Sequence, residues 1–228
     1  KEAALQKPYS DDPSNNGKMY LTKEALTASV NRALSFSFQP VIHAMGDKAI
    51  DTTLKVIEQA PKSNARFRIE QAAVLNKNLI ERLKKLNVVI SIQPKVISTE
   101  FTVWSADQRL DDRAKWLHPL KALLDEGIAV AAGSDCPMEP LSPLLGIQEL
   151  VLREQYPEQR LSVEEAIRLY TLNGAYCSGE EGIKGSIEEG KLADLVVLAQ
   201  DPASVQPQEI KDLAVDFVVL NGKVLVIA

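Results

Sequence analysis

The apolar positions fall into two alternating textures. Residues 22–36 place Leu26, Val30, Ala33 and Leu34 on one face of a 3.6-residue period, which predicts a helix. The run 39–44 (QPVIHA) is continuously apolar instead, as expected of a strand buried on both faces. Asp47 is placed to cap the next helix, whose face carries Ile50, Leu54 and Ile57 and which Pro61 stops. The cycle repeats. A strand over 66–70 precedes a helix with Leu79, Leu83 and Leu86, and a strand over 88–93 (VVISIQ) follows. The segment 94–110 reads as a long loop, and a helix ending at Gly127 leads to the strand 128–134 (IAVAAGS). Ser142-Pro143 forms a cap followed by a first-turn proline, and Ser162 with Glu165 forms a capping box, so two more helices follow. The first twenty residues, broken by Pro8 and Pro13, read as a loop entering the domain.

Four apolar strands separated by helices predict a parallel sheet of βα units. Two architectures fit that pattern: half of a (β/α)8 barrel, or an open doubly wound sheet. No G-x-G-x-x-G turn follows any strand, so dinucleotide binding has no support. Near residue 184 the texture changes to short β-rich runs, GSIEEGKLADLVVL and VDFVVLNGKVLVIA, with Asn221-Gly222 as a hairpin turn. The expected division is therefore an α/β part over 1–183 and a small β part over 184–228.

Composition narrows the function. The 228 residues are 45% hydrophobic and carry a formal charge of −5, which gives no basic excess to follow a phosphate backbone. No apolar run reaches the twenty or so residues that cross a bilayer. Nucleic acid and membrane are therefore excluded as expected partners. Two cysteines make no disulfide framework and point to a cytoplasmic setting. The chain begins at Lys1, so a leader peptide is not addressed by it.

In βα folds reactive residues stand at the carboxyl ends of strands. That rule selects His43 with Asp47, Glu70 with Gln71, Gln93, and Asp135. An imidazole at such a place ligates a metal or carries a proton. Asp135, following an apolar strand, is a ligand, a general base or an ion-pair partner, because an unpaired buried charge is costly. Glu70 has an equal alternative as the partner of Arg68 or Arg66. Cys136 is read as a small filler, and His118, before Pro119, as a cap or surface residue. Phe101 and Trp104 either line a pocket or anchor the long loop.

These stretches resemble the carboxyl-terminal part of metal-dependent hydrolases of the amidohydrolase superfamily, in the branch that includes N-substituted formamide deformylase. The resemblance runs in family order through PYSDDP (8–13), VIHAMGDKAID (41–51), RFRIEQA (66–72), SIQP (91–94), GSDCPMEPLSPLLGI (133–147), LSVEEAIRLYTLNGA (161–175) and GSIEEGKLADLVVL (185–198). It implies strands five to eight of a (β/α)8 barrel, with the tail contributing to a small β-sandwich. It also implies hydrolysis of carbon–nitrogen bonds other than peptide bonds by a metal-activated water. The metal would be divalent, zinc being the usual one, and would lower its water's pKa towards about 7. His43 takes the place of the histidine ligand after strand five. Asp135 takes that of the aspartate after strand eight, near the metal and serving as base.

Two departures qualify the resemblance. The family's His-x-His pair and the bridging residue after strand four have no counterpart in these 228 residues, and Gln71 stands where the family has a histidine ligand. A carboxamide is a poor zinc ligand beside an imidazole. The expectation is weak or absent metal, and no activity, for this chain alone. A degenerate, non-catalytic barrel kept for binding or assembly is the competing reading. The expected partners are a small-molecule substrate and either the remaining half of the barrel or a second copy of the chain.

Overall fold

The computed structural model describes residues 2–226. The elements follow in the order α1 (Lys23–Ser35), β1 (Val41–Ala44), α2 (Asp47–Gln59), β2 (Phe67–Gln71), α3 (Lys77–Leu83) and β3 (Val88–Ile92). Then come α4 (Pro94–Thr102), α5 (Ala106–Leu110), α6 (Leu120–Asp125), β4 (Ala129–Ala132), α7 (Pro143–Leu152), α8 (Val163–Tyr170) and α9 (Leu172–Ser178). β5 (Leu195–Leu198), β6 (Val215–Leu220) and β7 (Lys223–Val226) complete the described chain. The first four strands form one sheet in the order β1-β2-β3-β4, with β1–β2 and β2–β3 parallel. The last three form a separate antiparallel sheet. The chain divides into two compact units, one of Lys1–Ile92 and Thr99–Val130, the other of Gln93–Ser98 and Ala131–Ala228.

In the first unit Ile42, Ile69 and Ile90 lie in register on one face of the sheet, and Ile69 and Ile90 are fully buried. Ile50 and Leu54 of α2 and Leu79 and Leu83 of α3 are buried with them. Each such side chain contributes about 1.5–3 kcal/mol by leaving water. Arg82 fastens α3 to α2, donating Nε and Nη2 to Glu58 and Nη1 to Asp51. In the second unit Ser162 Oγ accepts the Glu165 N–H while the Glu165 carboxylate accepts the Ser162 N–H, the expected capping box. Asn221 and Gly222 join β6 to β7 with φ of 49° and 75°, the left-handed pair that a two-residue hairpin turn demands.

Several expectations change. β1 is an edge strand rather than one buried on both faces: Val41 is 51% exposed and His43 is exposed, whereas β3 is buried at every position. The segment read as a loop over 94–110 folds into α4 and α5. Val96, Ile97, Glu100 and Phe101 share the buried face of α4 at helical spacing. The opening segment is irregular, as expected, yet packed: Ala4, Leu5 and Tyr9 are buried. It is held by Leu5 N–H to Asn16 O and Tyr9 N–H to Asn15 O, both 2.8 Å.

Candidate functional site

Each strand-end residue has a definite place. His43 is exposed near the end of β1 and makes no hydrogen bond among the described residues. By register Glu70 of β2 is its neighbour and Ser91 of β3 stands beyond it. Glu70 accepts a hydrogen bond from Arg68 Nε, so the ion-pair alternative describes it, and Arg68 Nη2 reaches Ser91 Oγ at 3.4 Å. Gln71 closes β2 with φ of 73°, and its Oε1 is buried with no hydrogen-bond partner. A non-glycine residue in the left-handed region is uncommon, and such conformations gather at functional sites.

Asp47 holds the opening segment. Gly46, not Asp47, is the N-cap of α2, and Asp47 Oδ1 accepts the Gln6 N–H at 2.8 Å. Lys48 N–H reaches Ala4 O at 3.2 Å, so the start of α2 clamps the opening segment. Burial raises the Asp47 carboxyl above the ordinary range, against the lowering effect of the hydrogen bonds it accepts from backbone N–H groups.

The second unit carries Gln93 and Asp135. Gln93 is buried just past β3. Asp135 follows β4 with φ of 64°, exposed, its carbonyl accepting the Met138 N–H at 2.8 Å. Its carboxylate makes no hydrogen bond among the described residues. Cys136, next to it, is an exposed free thiol rather than a buried filler.

A cavity of about 690 Å³ opens in the first unit. His43 of β1, Met45 just after it, Tyr9 of the opening segment, and Glu100, Trp104 and Arg109 of the α4–α5 region all line it. Trp104 is thus among the residues that line a cavity. Arg109 lies over the Tyr9 ring, 4.3 Å from its centroid, and pairs with Asp11 at 3.3 Å. His118, read as a cap or surface residue, is completely buried, with Nε2 2.9 Å from Glu100 Oε2. Nothing adjacent in sequence marked that pair: the two residues are eighteen positions apart and meet only through the fold. The helical spacing of Val96, Ile97, Glu100 and Phe101 was the available signal.

A catalytic zinc takes three protein ligands and an open position. Among the described residues no three His, Cys, Asp or Glu side chains stand together as such a site requires. Gln71 Oε1 is buried and unpartnered, and a carboxamide oxygen is a weaker zinc donor than an imidazole. The donors of this chain therefore do not by themselves fit a complete zinc centre. Among the described residues no helix is long and apolar enough to cross a membrane.

Comparison with known proteins agrees with the fold. The sequence model of the Amidohydrolase family matches residues 1–226. "Putative amidohydrolase YtcJ" of Bacillus subtilis (strain 168) is 37% identical over 98% of this chain and 44% of its own. N-substituted formamide deformylase of Arthrobacter pascens is 30% identical over 87% of this chain and 38% of its own. Among solved structures, an uncharacterized metal-dependent hydrolase from Pyrococcus furiosus superposes with a TM-score of 0.82 at 34% identity, over 89% of this chain and 42% of the other. The chain thus spans less than half the length of these relatives. With a parallel βα sheet, a small antiparallel sheet and a match along its whole described length, the chain belongs to the amidohydrolase family.

Proposed function

We propose that this chain forms the carboxyl-terminal part of a (β/α)8 hydrolase. In this reading β1 to β4 are barrel strands five to eight, and β5 to β7 belong to a small β-sandwich. The whole protein would hydrolyse carbon–nitrogen bonds other than peptide bonds in small molecules, with N-substituted formamides and amides the first class to assay. The carrying observation is that Asp135 and His43, in a chain of this family, each stand exposed at a strand's carboxyl end with no side-chain partner. The roles follow from those placements. Asp135 accepts the proton of the attacking water, and His43 holds a polar group at the mouth of β1. A divalent metal, with zinc as the expected ion, belongs to this reading as a component of the whole protein. The donors of this chain do not complete its site.

The test is turnover of substituted amides by the whole protein and by its Asp135→Asn variant. A general base contributes about 10²–10⁴-fold, so kcat is expected to fall at least 100-fold with KM little changed. Retention of kcat would remove Asp135 from the chemistry. A double-mutant cycle with His43→Asn tests whether the two residues act as a unit, since such residues lose activity far less than additively.

A second reading, a degenerate barrel kept for binding or assembly, is favoured by Gln71 and its unpartnered buried oxygen. Metal analysis of the whole protein separates the two, together with a search for amide turnover. A metal-poor protein that turns over none of the amides supports the second reading.

A further inference from the structure

Two carboxylates line the cavity beside His43 without a part in the proposed chemistry: the exposed Glu2, which accepts from Asn15 Nδ2 at 3.0 Å, and Glu100. Glu100, on the buried face of α4, is 4% exposed and lines the cavity. Its Oε2 is held 2.9 Å from Nε2 of the fully buried His118. Its Oε1 has no hydrogen bond among the described residues.

His118 is itself fixed. Its backbone N–H donates to Ala73 O at 2.8 Å, its φ is 46°, and the preceding Leu117 bridges Val74 just past β2. A left-handed non-glycine backbone is sustained only where the surroundings enforce it. The imidazole is thus a rigid brace behind the carboxylate.

The cations on the cavity wall are turned to other tasks. Arg109 pairs with Asp11 and covers the Tyr9 ring, and Lys18 lies over the Tyr20 ring, 5.4 Å from its centroid. The rest of the lining is largely apolar, with Met45, Leu117 and Trp104 among it. A carboxylate with one oxygen held by His118 and the other without a protein partner, in a largely apolar cavity, favours a ligand that donates a hydrogen bond and disfavours one that cannot.

We propose that Glu100, braced by His118, is the specificity determinant of this cavity, and that it selects ligands bearing an N–H donor, ammonium or amide, on an apolar body. This deepens the hydrolase reading and rests on it for taking the cavity as a substrate pocket. Glu100 is the binding group and His118 a positioning residue.

The experiment is equilibrium binding by calorimetry, which needs no turnover. Three probes share one apolar body: 2-phenylethylamine and phenylacetamide, which donate through N–H, and methyl phenylacetate, which does not. At least one N–H probe is expected to bind about tenfold or more tighter than the ester. Tight binding of the amine alone identifies a charged donor, and of the amide alone a neutral one. In Glu100→Gln the carboxamide can turn its NH₂ to the cavity, so the preference for N–H probes is expected to vanish or reverse. His118→Gln, which can still donate to Glu100, should keep the preference, whereas His118→Phe should weaken it. Thermal melts of each variant check folding.

Equal binding of all three probes to the unmodified protein overturns the proposal without recourse to any variant, as does an unchanged preference in a folded Glu100→Gln. Failure of the whole protein to hydrolyse any amide would sink the hydrolase reading, yet leave the binding preference measurable. Amide turnover without probe discrimination would sink this proposal alone.

Discussion

Substituting Gly46 by alanine tests the clamp that joins the opening segment to α2. The φ of Gly46 is −83°, so backbone freedom is not the reason for glycine here. The reason is space: a Cβ would lie 2.0 Å from Ala4 O and 2.7 Å from Ala4 C, both backbone atoms. The opening segment must therefore retreat by about 1 Å to reach the shortest separation that real Cβ atoms show. That retreat breaks the Lys48 N–H to Ala4 O bond, 3.2 Å, and the Gln6 N–H to Asp47 Oδ1 bond, 2.8 Å. At about 0.5–1.5 kcal/mol each, plus partial exposure of Leu5, the loss comes to roughly 2–3 kcal/mol. For a chain of this length each kcal/mol lowers Tm by about 2–4 °C, so a fall of roughly 4–12 °C is expected. Circular dichroism melts measure it. Gly182→Ala is the control, because its Cβ would meet nothing within 4 Å, and it should shift Tm by no more than about 2 °C. Hydrogen exchange should show the Gln6 and Lys48 amides losing protection in Gly46→Ala alone. A Gly46→Ala protein that melts with the control and keeps both amides protected would refute the clamp.

Other outcomes follow from the same structure. Asp51→Asn should cost about 1 kcal/mol at pH 7, because it removes the negative charge and one of the two oxygens that serve the partly buried Arg82 and Lys55. Burial opposes ionisation of Asp51, but hydrogen bonds from Lys55 and Arg82 outweigh it and hold its carboxyl below the ordinary range. Its stabilisation is thus fully present above about pH 4 and lost as pH falls through the depressed value. The difference between Asp51→Asn and the unmodified protein should therefore shrink in acid melts, and a pH-independent difference would contradict the assignment. Gln71→His in the whole protein should raise zinc content by metal analysis; if the content stays the same, Gln71 is not at a ligand position. Light scattering should find the 25.0 kDa chain associated rather than monomeric, because the edge strand β1 exposes Val41 and the neighbouring Phe36 and Phe38 are more than half exposed. A compact monomer would remove the open-edge argument.

Much of the fold was legible in the chain because the signals were local. The capping box at Ser162, the Asn221-Gly222 turn and the apolar β-runs each act over a few residues, and each predicted its element. The strand-end rule likewise brought out His43, Gln71 and Asp135, since chain direction alone says where a parallel strand ends. Burial was less legible. An apolar run such as VIHA reads the same in a central strand and at an edge, and only its position in the sheet exposes Val41 and His43. The segment after β3 looked like a loop because its periodicity is short, yet tertiary packing makes it two helices. Asp47 was selected by the strand-end rule, and in the fold its carboxylate accepts the N–H of Gln6, forty-one positions upstream. Glu100 and His118 show the limit most clearly. Helical spacing puts Glu100 on the buried face of α4, but nothing in the sequence pairs it with an imidazole eighteen residues away. Only the fold, by desolvating both and setting them 2.9 Å apart, decides that they are partners, because the cost of burying either alone is what requires the other.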